Sequence, residues 1–132
     1  MKKLSHILLI DDDKITNFIT EKLLRKMKIS EEIRVALNGK EALELIKERC
    51  KNNLCCPDLI LLDINMPVMD GFEFLHQFHN SDLKNSQASN VVMLTTSTSP
   101  RDIEALKERG IHHLINKPVT EEKMIKVLEK VS

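Results

Sequence analysis

The sequence predicts an α/β fold in which five parallel strands form a doubly wound sheet with helices on both faces. Short apolar runs rich in β-branched residues alternate five times with segments of helical periodicity, a pattern typical of parallel sheets. Three of the runs, "ILLI", "LILL" and "VVML", are continuously apolar, as expected of strands that helices cover on both faces. The run "EIRVA" instead alternates, so we expect the second strand to lie at an edge of the sheet.

The apolar runs define the strands, and the spacing of apolar residues between them defines the helices. The predicted strands span residues 6–10, 32–36, 58–62, 90–94 and 111–115. Helical spacing links Ile15, Phe18, Ile19, Leu23 and Met27; Ala42, Leu43, Ile46 and Cys50; Phe72, Leu75 and Phe78; Ile103 and Leu106; and Met124, Ile125, Leu128 and Val131. The order of elements is therefore strand then helix throughout.

Each predicted helix has a recognisable start or stop signal. Capping residues or capping pairs precede the apolar spacing at Asp13, Asn38 with Glu41, Asp70 with Glu73, Ser99 before Pro100, and Thr120. Gly110 follows the fourth helix in the place of a left-handed cap. The polar segment 79–90 is the longest predicted loop.

The composition fits one small domain without a strong global charge. A length of 132 residues suits a single domain, with a core expected over about residues 6–131. Lys plus Arg and Asp plus Glu are both 20, so the zero net charge gives no general attraction to nucleic acid or anionic lipid. Three cysteines form no C-x-x-C pair, which indicates reduced thiols and neither a disulfide framework nor a zinc site. No apolar stretch approaches the roughly 20 residues that span a bilayer, and none suits a signal peptide. We therefore expect a cytoplasmic protein that binds neither nucleic acid nor membrane.

Polar side chains follow the predicted strands at one edge of the sheet. In open parallel sheets ligands bind outside the carboxyl ends of the strands, where the strand order reverses. The residues at these ends are Asp11, Asp12 and Asp13 after the first strand, Asp63 after the third, Thr95 and Thr96 after the fourth, and Asn116 and Lys117 after the fifth. Right-handed crossovers would bring them into one crevice.

This set of groups points to phosphoryl transfer. Crowded carboxylates repel each other, so at neutral pH they require a divalent cation or proton uptake. Carboxylate oxygens suit Mg²⁺, which completes its coordination with water and phosphate oxygens. A carboxylate beside the metal can attack phosphorus, while a lysine and a hydroxyl stabilise the charge on the phosphoryl oxygens.

The chain resembles the receiver domain of two-component response regulators, including the chemotaxis-type proteins that consist of a receiver alone. The matching stretches are "LLIDDD", "LILLDINMPVMDGFEFL", "VVMLTTS" and "INKPV", and the resemblance runs from about His6 to Val131. It implies a flavodoxin-like sheet with strand order 2-1-3-4-5 and a single receiver domain over residues 1–132, with no output domain. It also implies a cis Lys117–Pro118 bond.

The same resemblance implies a role for each matching residue. Asp63 corresponds to the phosphoacceptor, and Asp11 and Asp12 to the acidic pair that holds Mg²⁺, with the backbone carbonyl of Asn65 as a further ligand. Thr95 corresponds to the switch hydroxyl, and Lys117 to the ammonium that pairs with the phosphoryl group. The phosphodonor would be a sensor histidine kinase or a histidine phosphotransfer protein. A separate downstream protein would recognise the fourth helix, fifth strand and fifth helix.

The resemblance further implies that the chain is not an enzyme acting on other substrates, since it would catalyse only its own phosphorylation and dephosphorylation. Two positions depart from the family pattern. Leu114 stands where the family usually has the aromatic residue of its switch, and Thr96 stands where a smaller residue is usual.

Two other functions use similar residues. A phosphatase of the haloacid-dehalogenase type has its aspartate nucleophile after the first strand and an acid two residues later, whereas here Asp63 follows the third strand and Asn65 cannot donate a proton as an acid would. A flavin carrier of the same topology would place the flavin phosphate beside Asp11 to Asp13, which would repel it. Metal binding by His76 and His79, or by His112 and His113, is also disfavoured because neither pair has suitable further ligands or geometry.

Overall fold

A computed structural model describes residues 4–51, 57–64, 71–79, 90–96, 100–108, 111 and 113–131. In chain order the elements are β1 (Leu4–Ile10), α1 (Lys14–Met27), β2 (Ser30–Ala36), α2 (Gly39–Lys51), β3 (Leu59–Asp63), α3 (Gly71–His79), β4 (Asn90–Thr95), α4 (Pro100–Glu108), β5 (Leu114–Asn116) and α5 (Glu121–Val131). All neighbouring strands are parallel, and their order is β2-β1-β3-β4-β5. The predicted α/β fold and strand order are confirmed.

The sheet separates two hydrophobic clusters, because successive side chains of a strand point to opposite faces. On β1, Leu8 and Ile10 belong to one cluster, which also contains residues of α2, α3 and α4. Ile7 and Leu9 belong to the other, with residues of α1 and α5. Every residue of β3 is buried, whereas burial in β2 is irregular, in agreement with a central and an edge position respectively. The two clusters hold the strand ends, and the side chains that follow them, at fixed positions.

The fifth strand is shorter than predicted. It begins at Leu114 rather than at residue 111, so the prediction was wrong at its start. Ile111 is buried at 8% exposure, but its N–H donates to the carbonyl of Leu106 and so closes the end of α4 instead of pairing with β4. Burial at a helix end and burial in a strand give the same apolar pattern, which explains the error.

Helix α1 forms as its apolar spacing predicts, but the apolar residues of its first two turns are exposed, whereas Met27 near its end packs against the hydrophobic cluster. Ile15, Phe18 and Ile19 are 72%, 69% and 57% exposed. The buried residues of α1 are instead Asn17, Thr20 and Leu24, of which two are polar. The first two turns of α1 therefore present an apolar face to solvent and polar side chains to the interior.

Several predicted caps are present. The Glu41 N–H donates to Asn38 Oδ1 at 2.8 Å, and the Lys123 N–H donates to Thr120 Oγ1 at 3.2 Å. Pro100 is the first residue of α4. The predicted caps at Asp70, Ser99 and Gly110 lie outside the described residues. Within the described ranges, no helix has both the length and the hydropathy needed to cross a bilayer.

Candidate acidic site at the carboxyl edge of the sheet

The carboxyl ends of β1, β3 and β5 bring two aspartates and a lysine together. Asp11 directly follows β1, and its N–H donates to the carbonyl of Ala36 at 3.1 Å, which extends the ladder between β1 and β2 by one bond. Asp63 is the last residue of β3, and Lys117 directly follows β5. Because the strands are parallel, these three side chains meet at the same edge of the sheet, as the sequence predicts.

Lys117 bridges the two buried carboxylates. Its Nζ lies 2.6 Å from Asp11 Oδ2 and 3.4 Å from Asp63 Oδ1. Asp11 is 1% exposed and Asp63 is 7% exposed, so water screens these charges weakly. Burial alone lowers the pKa of Lys117, but the hydrogen bond that Lys117 donates to Asp11 and the charges of Asp11 and Asp63 outweigh it, so the pKa is raised. Lys117 is therefore a fixed positive charge in the site.

Three carboxylates share this edge. One oxygen each from Asp11, Asp12 and Asp63 lies within 4.8 Å of the other two, and Asp12 is the exposed member of the group. One lysine cannot balance three negative charges, so the cluster is left with an excess of negative charge. Carboxylate oxygens at this spacing, open to water at Asp12, form a donor set that fits Mg²⁺.

The turn after β1 is held by its own side chains. The Asp13 N–H donates to Asp11 Oδ1 at 3.0 Å. The Asp13 carboxylate accepts from the N–H groups of Ile15 and Thr16 and from Thr16 Oγ1, so it caps α1. The side-chain and backbone hydrogen bonds from Thr16 lower the pKa of Asp13. The interpretation of Asp13 as a helix cap is confirmed.

Thr95 and Lys117 are tied together through the backbone. Thr95 ends β4 and is 2% exposed, and its carbonyl accepts from the Lys117 N–H at 2.9 Å. Thr95 also pairs with Asn116 in the register of β4 and β5. The neighbouring Thr96 is exposed. The hydroxyl-bearing strand end is thus anchored to the strand end that carries the ammonium group.

Gly71 fits closely against the backbone that carries Asp63. Its N–H donates to the carbonyl of Ile64 at 2.9 Å. A Cβ at this position would lie 2.8 Å from the Asp63 carbonyl oxygen and 3.0 Å from Ile64 Cα, distances that real Cβ atoms rarely or never show. Any other residue would therefore push the start of α3 away from the end of β3.

A shallow cavity lies between α4 and β5. Its volume is about 80 Å³, and it is lined by Ile103, Leu106, Lys107, Ile111, His113 and Leu114. Leu114 is half-buried and packs against the cluster on the α2, α3 and α4 side of the sheet. The cavity therefore lies at the position where the sequence lacks the usual aromatic residue.

Comparison with known proteins identifies the family. The response regulator receiver domain matches residues 7–129, almost the whole chain. The chain belongs to the receiver domain family of response regulators. It is therefore a receiver domain of the kind found in two-component signalling, and the haloacid-dehalogenase alternative is not favoured.

Relatives of this receiver domain occur in proteins of different length. It is 42% identical over 120 residues to a protein-glutamate methylesterase/protein-glutamine glutaminase of Desulfotalea psychrophila, covering 89% of this chain but only 30% of that protein. It is 30% identical to the response regulator Rcp1 of Synechocystis, covering 95% of this chain and 84% of Rcp1. The structure of a two component response regulator from Cytophaga hutchinsonii superposes with a TM-score of 0.88 at 30% identity, covering 98% of both chains.

The structure brings most of the predicted site residues of the receiver domain together. Asp11, Asp12, Asp63 and Lys117 form one cluster, and Thr95 ends the strand between those of Asp63 and Lys117. The predicted carbonyl ligand at Asn65 lies outside the described residues, as do His112 and the side chains of His79 and Cys50. The predicted cis Lys117–Pro118 bond is present.

One residue of the receiver domain that contacts the acidic turn was not predicted. Asn17, on the buried face of α1, donates from Nδ2 to the carbonyl oxygen of Asp11 at 2.8 Å. The sequence shows only that Asn17 is a polar residue outside the set of helically spaced apolar residues of α1. That observation becomes informative only once the burial of each face of α1 is known.

Proposed function

We propose that this receiver domain accepts a phosphoryl group on Asp63 from a phosphohistidine donor, in a reaction that requires Mg²⁺. The observation that carries the proposal is the contact of one ammonium, Lys117, with both buried carboxylates, Asp11 and Asp63. A nucleophilic carboxylate with a fixed cation and further carboxylates beside it is the set of groups that phosphoryl transfer to aspartate needs.

Each residue has a distinct part in the proposed reaction. A carboxylate oxygen of Asp63 attacks phosphorus while the bond from phosphorus to the donor nitrogen breaks. Lys117, already 3.4 Å from Asp63, pairs with the incoming phosphoryl oxygens, and the Thr95 hydroxyl donates to one of them. Asp11, Asp12, Asp63 and the carbonyl of Asn65 would hold Mg²⁺, which when bound neutralises negative charge on the carboxylates and the phosphoryl group.

The donor protein is proposed to dock on a face of the receiver domain beside the site. Helix α1 begins two residues after Asp12, and its first turns expose Ile15, Phe18 and Ile19. Next to them lies a groove of about 270 Å³ lined by Phe18, Glu21, Lys22 and Arg25. A protein that carries its phosphohistidine to the buried Asp63 must touch the rim of the site, and this apolar face would be covered by that contact. We propose that a helix of the histidine kinase or phosphotransfer protein packs there.

The downstream partner is proposed to recognise a different face, formed by α4, β5 and α5. This face contains the cavity lined by Leu114, and β5 joins it to the site through the bond from the Lys117 N–H to the Thr95 carbonyl. Both events are proposed to take place in the cytoplasm, and the proposed catalysis is limited to the domain's own phosphorylation and dephosphorylation.

The test of the proposed function is phosphorylation by a small donor. The protein is incubated with acetyl phosphate and Mg²⁺, and its intact mass is measured before and after alkaline treatment. We expect one phosphoryl adduct that is lost in alkali, is absent without Mg²⁺ and is absent in Asp63→Asn. An adduct that persists in Asp63→Asn would place the acceptor elsewhere and refute the assignment.

The proposed docking face is tested by comparing two donors. The double substitution of Ile15→Ser and Phe18→Ser should leave phosphorylation by acetyl phosphate unchanged, because a small donor does not need the face. The same variant should slow transfer from a phosphorylated histidine phosphotransfer protein. Ile103→Ser on α4 is the matched control, and equal effects of the two variants on protein-dependent transfer would contradict the proposed location.

A further inference from the structure

We infer that Asn17 is a positioning residue for the acidic site, because its side-chain amide fixes the turn that carries Asp11 and Asp12. The inference deepens the proposed function, since it rests on Mg²⁺ binding by these carboxylates. The side-chain amide of Asn17 donates to the backbone carbonyl oxygen of Asp11, and the carboxylates that would hold the metal are those of Asp11, Asp12 and Asp63.

The burial of Asn17 is the first observation. Asn17 is 5% exposed and lies on the face of α1 that packs towards the sheet. Burying an amide without hydrogen bonds costs more than burying an apolar side chain of similar size. A buried asparagine is therefore favourable at this position only if its side-chain amide is hydrogen-bonded.

The hydrogen bond of Asn17 is the second observation. Nδ2 donates to the carbonyl oxygen of Asp11 at 2.8 Å, while the main-chain N–H of Asn17 donates to the carbonyl of Asp13 at 3.0 Å. The side chain thus spans six residues back along the chain to the peptide group between Asp11 and Asp12. Because a peptide group is planar, fixing this carbonyl also fixes the direction in which the chain leaves towards Asp12.

Every polar group of Asp11 consequently takes part in a hydrogen bond. Its N–H donates to Ala36, its carbonyl accepts from Asn17, and its two carboxylate oxygens accept from the Asp13 N–H and from Lys117. Three of these contacts come from the strand ladder, the adjacent turn or the site itself. Among these four contacts, the one from Asn17 connects the turn to the buried face of α1.

This arrangement matters most for Asp12. Asp12 is exposed, and its distance from Asp11 and Asp63 depends on the backbone of the turn. If the Asp11 carbonyl is released, Asp12 samples more positions and the three carboxylates meet less often at the spacing that a metal ion needs. Outer residues that orient metal ligands typically change metal affinity by about 10-fold to 100-fold. Because Asn17 contacts the backbone rather than a carboxylate, we expect about tenfold, the lower end of that range.

The experiment measures Mg²⁺ binding directly by titration calorimetry, with Mg²⁺ alone as the ligand. Asn17→Leu keeps the size of the side chain but removes the donor, and Asn17→Gln keeps an amide donor on a longer side chain. Thr20→Val is the matched control, because Thr20 is the other buried polar residue on the same face of α1. Thermal unfolding followed by circular dichroism establishes that each variant is folded at the assay temperature, and Asn17→Ala, which also lacks the donor, replaces Asn17→Leu if the latter is not.

We expect the Mg²⁺ dissociation constant to rise about tenfold in Asn17→Leu, to be partly restored in Asn17→Gln and to be unchanged in Thr20→Val. With acetyl phosphate, the Mg²⁺ concentration for half-maximal phosphorylation should rise equally, while the rate at saturating Mg²⁺ stays near that of the wild type. Equal Mg²⁺ affinity in Asn17→Leu and wild type would overturn the inference alone. Absence of Mg²⁺ binding by the wild type would overturn the proposed metal site and the inference with it.

Discussion

Removal of the Lys117 charge tests whether this lysine is the internal counter-ion of the acidic site. Its Nζ is 2.6 Å from Asp11 and 3.4 Å from Asp63, and the side chain of Asp11 is 2% exposed. At an effective dielectric constant of about 20, each of these pairs attracts by about 5 to 6 kcal/mol before the desolvation of the charges is subtracted. Removing one member of a buried ion pair typically costs about 3–5 kcal/mol. Because 16% of the Lys117 side chain is exposed, we expect Lys117→Met to lower the free energy of unfolding by about 3 kcal/mol, the lower end of that range.

The assay is urea unfolding in EDTA, followed by far-UV circular dichroism because the chain has no Trp or Tyr. Lys117→Arg keeps the charge and serves as the control. Adding Asp11→Asn to Lys117→Met should recover part of the loss, because the amide needs no counter-ion. Repeating the unfolding in Mg²⁺ should stabilise Lys117→Met more than the wild type, because no ammonium competes with the cation for the carboxylates. A loss below about 1 kcal/mol, or equal stabilisation of both proteins by Mg²⁺, would refute the role of Lys117 as counter-ion.

The remaining predictions concern single residues of the site and core. Asp12→Ala should raise the Mg²⁺ dissociation constant by more than about tenfold, whereas Asp13→Ala should affect helix stability with little change in Mg²⁺ affinity; equal losses in calorimetry would show that the acidic pair is misplaced. Gly71→Ala should lower the free energy of unfolding by about 1–3 kcal/mol, because its Cβ would lie 2.8 Å from the Asp63 carbonyl; unchanged urea unfolding would contradict that clash. Leu61→Ala, in the fully buried β3, should cost about 2–5 kcal/mol by the same measurement, and a loss under 1 kcal/mol would be evidence against tight packing there.

The fold and the main acidic residues could be predicted because both depend on local patterns. Continuous apolar runs identify buried parallel strands, and the residues after those runs must lie at one edge of the sheet. For this reason the sequence predicts that Asp11, Asp63 and Lys117 lie at this edge, where the structure has them. The predicted start of β5 is wrong, because Ile111 is buried at the end of α4 and a buried residue there gives the same apolar pattern as a buried residue in a strand.

Other features depend on which side of an element faces the core, which periodicity alone does not settle. The spacing of Ile15, Phe18 and Ile19 predicts a helix but also suggests that these residues are buried, and they are exposed. The orientation of α1 that exposes these three residues also buries Asn17 and places it beside the Asp11 carbonyl. The preference of Lys117 for Asp11 over Asp63 is equally invisible in the sequence, since it depends on a difference of less than 1 Å.

The shortness of β5 has a consequence for how long the site stays intact. The strand has three residues at the edge of the sheet, and it pairs only with β4. Asp11 follows β1 and Asp63 ends β3, and both of these strands are longer and lie inside the sheet. Local opening is cheapest where a segment has few ladder bonds, so amide hydrogen exchange should be faster at β5 than at β1 or β3. Lys117 lies at the end of that segment. Brief detachment of β5 would therefore separate the ammonium from both carboxylates without unfolding the rest of the domain, and the lifetime of the charge pair would follow the opening rate of one short strand.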